Sequence, residues 1–263
     1  MTAIDHGFAA FRQRASAGEV LGGAFQKTPS RQISEVLALS GIDFAILDAE
    51  HAPFGIADID DILAATAPRR FPMLVRVPGV GSAMVGACLD AGAAGIVVPH
   101  VLDIETAELA VAATRFAGGS RGLSPSGRAG LYGGLTLGDY MTRSDASVSL
   151  WCQIEDAEAI DNIEEICAVQ GVDALFIGRA DLMRSLGASQ IDDPAVEKAV
   201  ARVAKAANAA GLRLAIFISD AAEAARWRPL GFSIFICGSD QSMLRAKAQS
   251  VGRMLDTSVR GRF

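Results

Sequence analysis

Several short apolar runs in this sequence end in a side chain that could do chemistry. The run closing at Ile154 leads to Glu155, and the run closing at Ile177 leads, past Gly178-Arg179-Ala180, to Asp181. Two carboxylates at the same end of parallel strands suit a hard divalent cation that keeps positions open for a substrate. Another run ends in Asp48-Ala49-Glu50-His51, and others end at Arg76, at Pro99-His100 and at Gly238-Ser239-Asp240. Histidine is the side chain best poised for proton transfer near neutral pH, and His51 stands among acids. The planar guanidinium of Arg76 suits a developing oxyanion. His100 reads either as a group that touches substrate or as the polar end of a strand. His6 reads as surface, and Asp90, within CLDAG, reads by itself as a solvated helix residue.

Other chemistries lack their residues. There is no glycine-rich phosphate loop with its lysine, GVGSAMVG does not have dinucleotide spacing, and no GxSxG elbow occurs. Of Lys27, Lys198, Lys205 and Lys247, only Lys27 is near the end of an apolar run, which leaves one poor candidate for a Schiff base.

For these side chains to meet, the runs must be parallel strands with helices between them. Between the strands that lead to Glu155 and Asp181, the residues Ile160, Ile163, Ile166 and Val169 recur at helical spacing among polar residues. Strand-like runs occur at 20–25, 44–47, 73–77, 95–98, 148–154, 174–177, 214–218 and 233–237. They are apolar almost throughout rather than alternating, as parallel strands covered by helices are. Thr28-Pro29-Ser30 precedes one helical stretch, Asp103 caps another, and Asp193-Pro194 opens a long one that Gly211 stops. Eight such units imply a (β/α)8 TIM barrel, with a doubly wound open sheet as the lesser alternative. One domain is expected over residues 1–263, with an N-terminal helix and a C-terminal helical extension.

The totals agree with a large buried core: 51% hydrophobic residues and 27 glycines in 263 residues. A net charge of −6 argues against nucleic acid, which needs a basic face. No run reaches the ~18 apolar residues of a membrane span, and the N-terminal stretch has no apolar signal core. Phe8 and Phe11 there read as an amphipathic helix. Cys88, Cys152, Cys167 and Cys237 are far apart in apolar surroundings and read as buried thiols of a cytoplasmic protein. Residues 118–146 form a long glycine-rich connection with Arg121 and Arg128. It leads into the strand before Glu155 and is expected to cover substrate or contact another subunit, or else to be a mobile surface loop.

Five segments, LDAEHAPF, VRVPG, LDAGAAGIVVPHV, QIEDAEAIDNI and GVDALFIGRADLMRSLG, resemble in order the signature segments of the HpcH/HpaI aldolases. These are metal-dependent pyruvate aldolases acting on 4-hydroxy-2-oxo acids. The resemblance runs from Leu21 to about Leu244. It implies a barrel of the phosphoenolpyruvate/pyruvate type, often hexameric, with Mg2+, Mn2+ or Co2+ bound by Glu155 and Asp181. It also implies that His51 is the base, that Asp90 sits behind it, and that Arg76 is the transition-state cation. Gln153, Asp181 and the backbone at Gly178 and Ala180 would hold the pyruvate end. The partners implied are a small 2-oxo acid and an aldehyde, with no nucleic acid and no membrane.

The chain departs from the family pattern at three places. Arg179 replaces the usual proline and is expected to loosen the backbone and put a charge near the metal. His100 stands where an apolar residue is expected, and Phe25 where tryptophan is common. These changes bear on the acceptor end of the pocket, where a sugar acid and an aromatic-catabolism substrate are equally admissible. The same enolate chemistry also serves malyl-CoA and citramalyl-CoA lyases and oxaloacetate decarboxylases, and a non-catalytic barrel is the remaining alternative.

Overall fold

A computed structural model describes residues 3–255 and residue 259, apart from the side chains of residues 3–8 and 221. The readings of the His6 and Phe8 side chains therefore lie outside the described residues. The eight runs become β1 (Leu21–Gln26), β2 (Phe44–Asp48), β3 (Met73–Arg76), β4 (Gly95–Val98), β5 (Ser149–Ile154), β6 (Ala174–Ile177), β7 (Arg213–Ile218) and β8 (Phe232–Ser239). All pair in parallel in chain order, and β8 returns to β1, so the sheet closes. Closure excludes the open-sheet alternative and gives the (β/α)8 barrel.

Alternate residues of each strand point into the barrel. Leu21, Phe25, Phe44, Ile46, Leu74, Trp151 and Phe176 belong to the interior cluster. Their neighbours, such as Leu47, Val75, Leu150, Cys152 and Ile177, pack outward under the helices. Both faces are thus buried, which is why the runs show no alternation. Gly23 has a steric reason: a Cβ there would meet the Phe44 ring at 2.5 Å. The helix Ala3–Ser16 closes the N-terminal end of the barrel, with the Phe11 ring centroid 5.4 Å from that of Phe44 and 6.3 Å from that of Trp151.

The helix ends follow the sequence signals. Asp103 accepts from Thr106 N at 2.8 Å, Asp193 accepts from Ala195 N ahead of the helix Pro194–Ala210, and Gly211 ends that helix at φ 74°. The helix between β5 and β6 differs from expectation, being split into Ala157–Asp161 and Ile163–Ala168. Asn162 at the break donates to the Leu102 carbonyl at 3.0 Å. Burial raises the thiols of Cys88 and Cys152 to about 12 and that of Cys167 to about 11. No described helix is long and apolar enough to cross a membrane.

The connection at 118–146 does not cover the chemistry of its own barrel. It joins the end of the helix Ile104–Thr114 to the start of β5, and in an α/β barrel that is the N-terminal face. Six residues of β5, ~20 Å of strand, separate its end from Glu155. It is not an open loop either. It contains a short 3-10 segment (Arg128–Gly133) and the helix Leu137–Ser147. Arg121 is buried and donates to Asp90 (2.7 Å), Tyr140 Oη (2.8 Å) and Ser144 Oγ (2.6 Å), while Arg128 pairs with Asp60 at 2.7 Å.

Candidate active site

The period of two that buries Ile46, Leu74 and Trp151 also sets Asp48, Arg76 and Gln153 in the next layer, at the C-terminal mouth. Asp48 and Arg76 are register partners across β2 and β3. Arg76 donates to Asp48 Oδ1 from Nε at 2.9 Å and lies 2.8 Å from it through Nη2. Its Nε is also 3.2 Å from Glu50, its Nη1 is 3.4 Å from Gln153 Oε1, and its guanidinium carbon lies 4.7 Å from the Phe25 ring centroid. The arginine is therefore fixed on several sides. Lys27 spends its charge on the second Asp48 oxygen at 3.0 Å, so it is not a free amine for a Schiff base. Burial alone would raise the Asp48 carboxyl, but Arg76 and Lys27 outweigh it and hold Asp48 below the usual carboxylate range.

Glu155 is 1% exposed. Gln153 Nε2 donates to its Oε2, and the His100 backbone N–H donates to its Oε1 at 3.0 Å. No lysine or arginine pairs with it among the described residues. Burial accordingly holds its carboxyl above the usual range, and hydrogen bonds from Gln153 and His100 only partly offset this. Gly178 keeps this carboxylate in place, because a Cβ there would stand 2.4 Å from Glu155 Oε2. Asp181 lies on the first turn of the helix Arg179–Ser185, beside Arg184 at 3.3 Å.

A cavity of about 600 Å³ opens above these groups, and His51, Arg76, Gln153, Glu155, Gly178, Ala180 and Asp181 all line it. His51 is half exposed; its backbone N–H donates to Asp48, and its Nε2 is 3.7 Å from Glu50. The β7, β8 and β1 side adds Phe217, Ser239, Phe25 and Lys27, while Ile191, Gln241, Ser242 and Arg245 reach the mouth.

Asp90 does not join them. It ends the helix Met84–Asp90, just ahead of the start of β4, so it lies toward the N-terminal face while His51 lies at the other. Its Oδ1 accepts from Arg121 and from Tyr140 at 2.9 Å. Arg179 corrects another expectation. It lines the cavity, but its guanidinium turns to the Phe217 carbonyl (2.8 Å) and to Glu223, so its charge is neutralised on β7 and the helix after it. It opens a helix rather than loosening one.

Sequence reasoning passed over Glu50 and left His100 ambiguous, and both face Glu155. One donor atom each from Glu50, His100 and Glu155 lies within 4.8 Å of the others, a group that could hold a metal ion. His100 Nδ1 is 2.8 Å from Asp156. That hydrogen bond, against partial desolvation and helped by Glu155 and Glu50, holds the imidazole above its usual range. The signal was present in three rim segments, PH, AEH and IED, but only closure of the barrel shows that they meet.

Comparison with known proteins agrees with this geometry. The model of the HpcH/HpaI aldolase/citrate lyase family matches residues 23–246. The 5-keto-4-deoxy-D-glucarate aldolase of Escherichia coli strain K12 is 34% identical over 243 residues, covering 92% of this chain and 94% of its own. An HpcH/HpaI aldolase/citrate lyase family protein from Burkholderia cenocepacia J2315 superposes with TM-score 0.85 at 35% identity, over 93% of this chain and 98% of the other. The citrate synthase SbnG superposes with TM-score 0.84 at 30% identity, over 94% and 97%. Sequence and fold thus agree along nearly the whole length, and the chain belongs to the HpcH/HpaI aldolase/citrate lyase family and is a carbon–carbon lyase.

Proposed function

We propose that this enzyme is a metal-dependent aldolase that reversibly cleaves a 4-hydroxy-2-oxo acid to pyruvate and an aldehyde. The observation that carries this reading is the convergence of a half-exposed histidine, a fixed arginine and a buried carboxylate without a fixed cation on one cavity. Glu155 and Asp181 are the proposed metal ligands, and the buried carboxylate of Glu155, which hydrogen bonds from Gln153 and His100 only partly compensate, fits a divalent ion. Such an ion, when bound, supplies Lewis acidity toward a keto oxygen.

The chain's own residues account for the rest. Gln153 and the backbone at Gly178 and Ala180 seat the pyruvate end beside Asp181. Cleavage of the C3–C4 bond moves negative charge onto the keto oxygen, and Arg76, already oriented by Asp48 and Glu50, stabilises that charge without reorganising. His51 takes the C4 hydroxyl proton in cleavage, the enolate carbon C3 gains a proton to give pyruvate, and both transfers run in reverse in synthesis. Because Asp90 lies at the far end of the barrel, its proposed role behind His51 needs Asp90 of a second copy. Arg121 and Tyr140 both hold Oδ1 and leave Oδ2 without a partner among the described residues. A homo-oligomer, hexameric by family resemblance, would supply that contact, and the reduced cytoplasm is the proposed setting.

The test is pyruvate release, coupled to lactate dehydrogenase, from a panel of 4-hydroxy-2-oxo acids. The protein is stripped with EDTA and given back Mg2+, Mn2+ or Co2+. Metal-dependent release is expected. Folded protein that releases no pyruvate with any ion but cleaves malyl-CoA would replace the aldolase by an acyl-CoA lyase. Lys27, Arg76 and Arg179 are all paired, so among the described residues that line the cavity Arg245 at its mouth is the cation left for a nucleotide phosphate.

A further inference from the structure

The residues around Glu155 carry an inference about the cation itself, which rests on the metal-dependent reading above. His100 is held unusually firmly for a half-exposed side chain. Its backbone sits at φ 52°, where non-glycine residues are uncommon. Its N–H is tied to Glu155 and its Nδ1 to Asp156 at 2.8 Å. A carboxylate only accepts, so Nδ1 carries the proton and Nε2 is the nitrogen left to act. That nitrogen faces Glu50 Oε1 at 3.7 Å, beyond hydrogen-bond reach.

The three groups are close enough to converge on one ion. Octahedral bonds of ~2.1 Å place neighbouring donors ~3 Å apart and opposite ones ~4.2 Å apart. His100 Nε2 lies 3.7 Å from Glu50 Oε1, its Nδ1 lies 3.5 Å from Glu155 Oε1, and one donor atom from each of the three residues falls within 4.8 Å of the others, so a modest side-chain contraction would bring them to that spacing. A carboxylate on the far ring nitrogen is also the support that fixes the tautomer and orientation of a ligating imidazole.

We propose that His100 Nε2 and Glu50 Oε1 join Glu155 as ligands of the divalent cation, making this an N,O site that prefers Co2+ and Mn2+ to Mg2+. Imidazole suits first-row transition ions, whereas Mg2+ keeps to oxygen and water. A cation arriving at Nε2 displaces any proton there to solvent, while Nδ1 keeps its own on Asp156.

The experiment uses the full-length protein loaded with Mn2+ and read by pulsed electron paramagnetic resonance, where a bound imidazole gives 14N modulation. The informative variant is His100→Asn, because asparagine tolerates the left-handed backbone. Modulation is expected in the wild type and in His51→Ala, and its loss is expected in His100→Asn. Titration calorimetry of His100→Asn should show Co2+ affinity falling ~10–100-fold, with Mg2+ affinity changing much less. Mn2+ bound without 14N modulation, or modulation lost only in His51→Ala, would overturn the nitrogen ligand and leave the Glu155–Asp181 site standing. Failure of the wild type to bind any of these ions would overturn both.

Discussion

His51 and Glu155 make opposite demands on the protein, and each can be measured. Replacing His51 by alanine should lower turnover ~10²–10⁴-fold, as loss of a general base does, with the fold intact; pyruvate release at the wild-type rate would reject it as the base. Glu155 is a charge buried before any cation arrives. Glu155→Gln should therefore make the metal-free protein more stable by ~1 kcal/mol, a rise in Tm of about 2–4 °C for a chain of this size. The same variant should lose the stabilisation that the wild type gains on adding Mn2+, and calorimetric scans with and without the ion read both effects. At this scale the sequence was informative where a side chain ends a strand. His51, Arg76 and Glu155 sit where the strand ends put them, whereas Gln153 is singled out only by the family resemblance. It was silent about pairings that cross strands. Lys27 on Asp48 depends on the register of β1 with β2, and Arg179 on Glu223 depends on the twist between β6 and the helix after β7.

At the scale of elements, the strands and caps were legible because each has a local cause: an apolar run, an aspartate at an N-cap, a glycine at φ 74°. The segment 118–146 was not, because composition does not say which face of the barrel a connection occupies. Its polar network can be tested at alkaline pH. Burial, reinforced by Asp90 and opposed by Arg121, raises Tyr140 to about 12. In a Tyr132→Phe variant, which leaves Tyr140 as the one tyrosine, phenolate absorbance at 295 nm should rise only near pH 12. The folded value exceeds the ordinary phenol value of ~10, so the unfolded chain loses its proton first. Stability from this group is complete below pH ~10 and declines as pH rises toward 12. Phenolate appearing at pH ~10 while the fold persists would show that Tyr140 is not buried beside Asp90.

Across the whole molecule, the gradient from buried to exposed along the cavity has a kinetic meaning. Gln153, Glu155 and Arg76 are buried at its base, whereas Ile191, Gln241 and Arg245 are exposed at its mouth. Below that base, Phe11, Phe44 and Trp151 stack in contact across the barrel axis. Among the described residues, the buried groups form the floor of the cavity and the exposed ones its rim, so both products are expected to leave past Ile191, Gln241 and Arg245. With the pyruvate end seated beside Gln153 and Asp181 as proposed, the aldehyde lies nearer the rim and is expected to depart before pyruvate, in a fixed order. Product inhibition should show it: pyruvate competitive with the 2-oxo acid, the aldehyde noncompetitive. A competitive aldehyde would mean a second exit. With Phe11 of the N-terminal helix packed against Phe44 and Trp151 below the cavity, the proposed order leaves pyruvate as the last product to go, so pyruvate is the product expected to slow the enzyme as it accumulates.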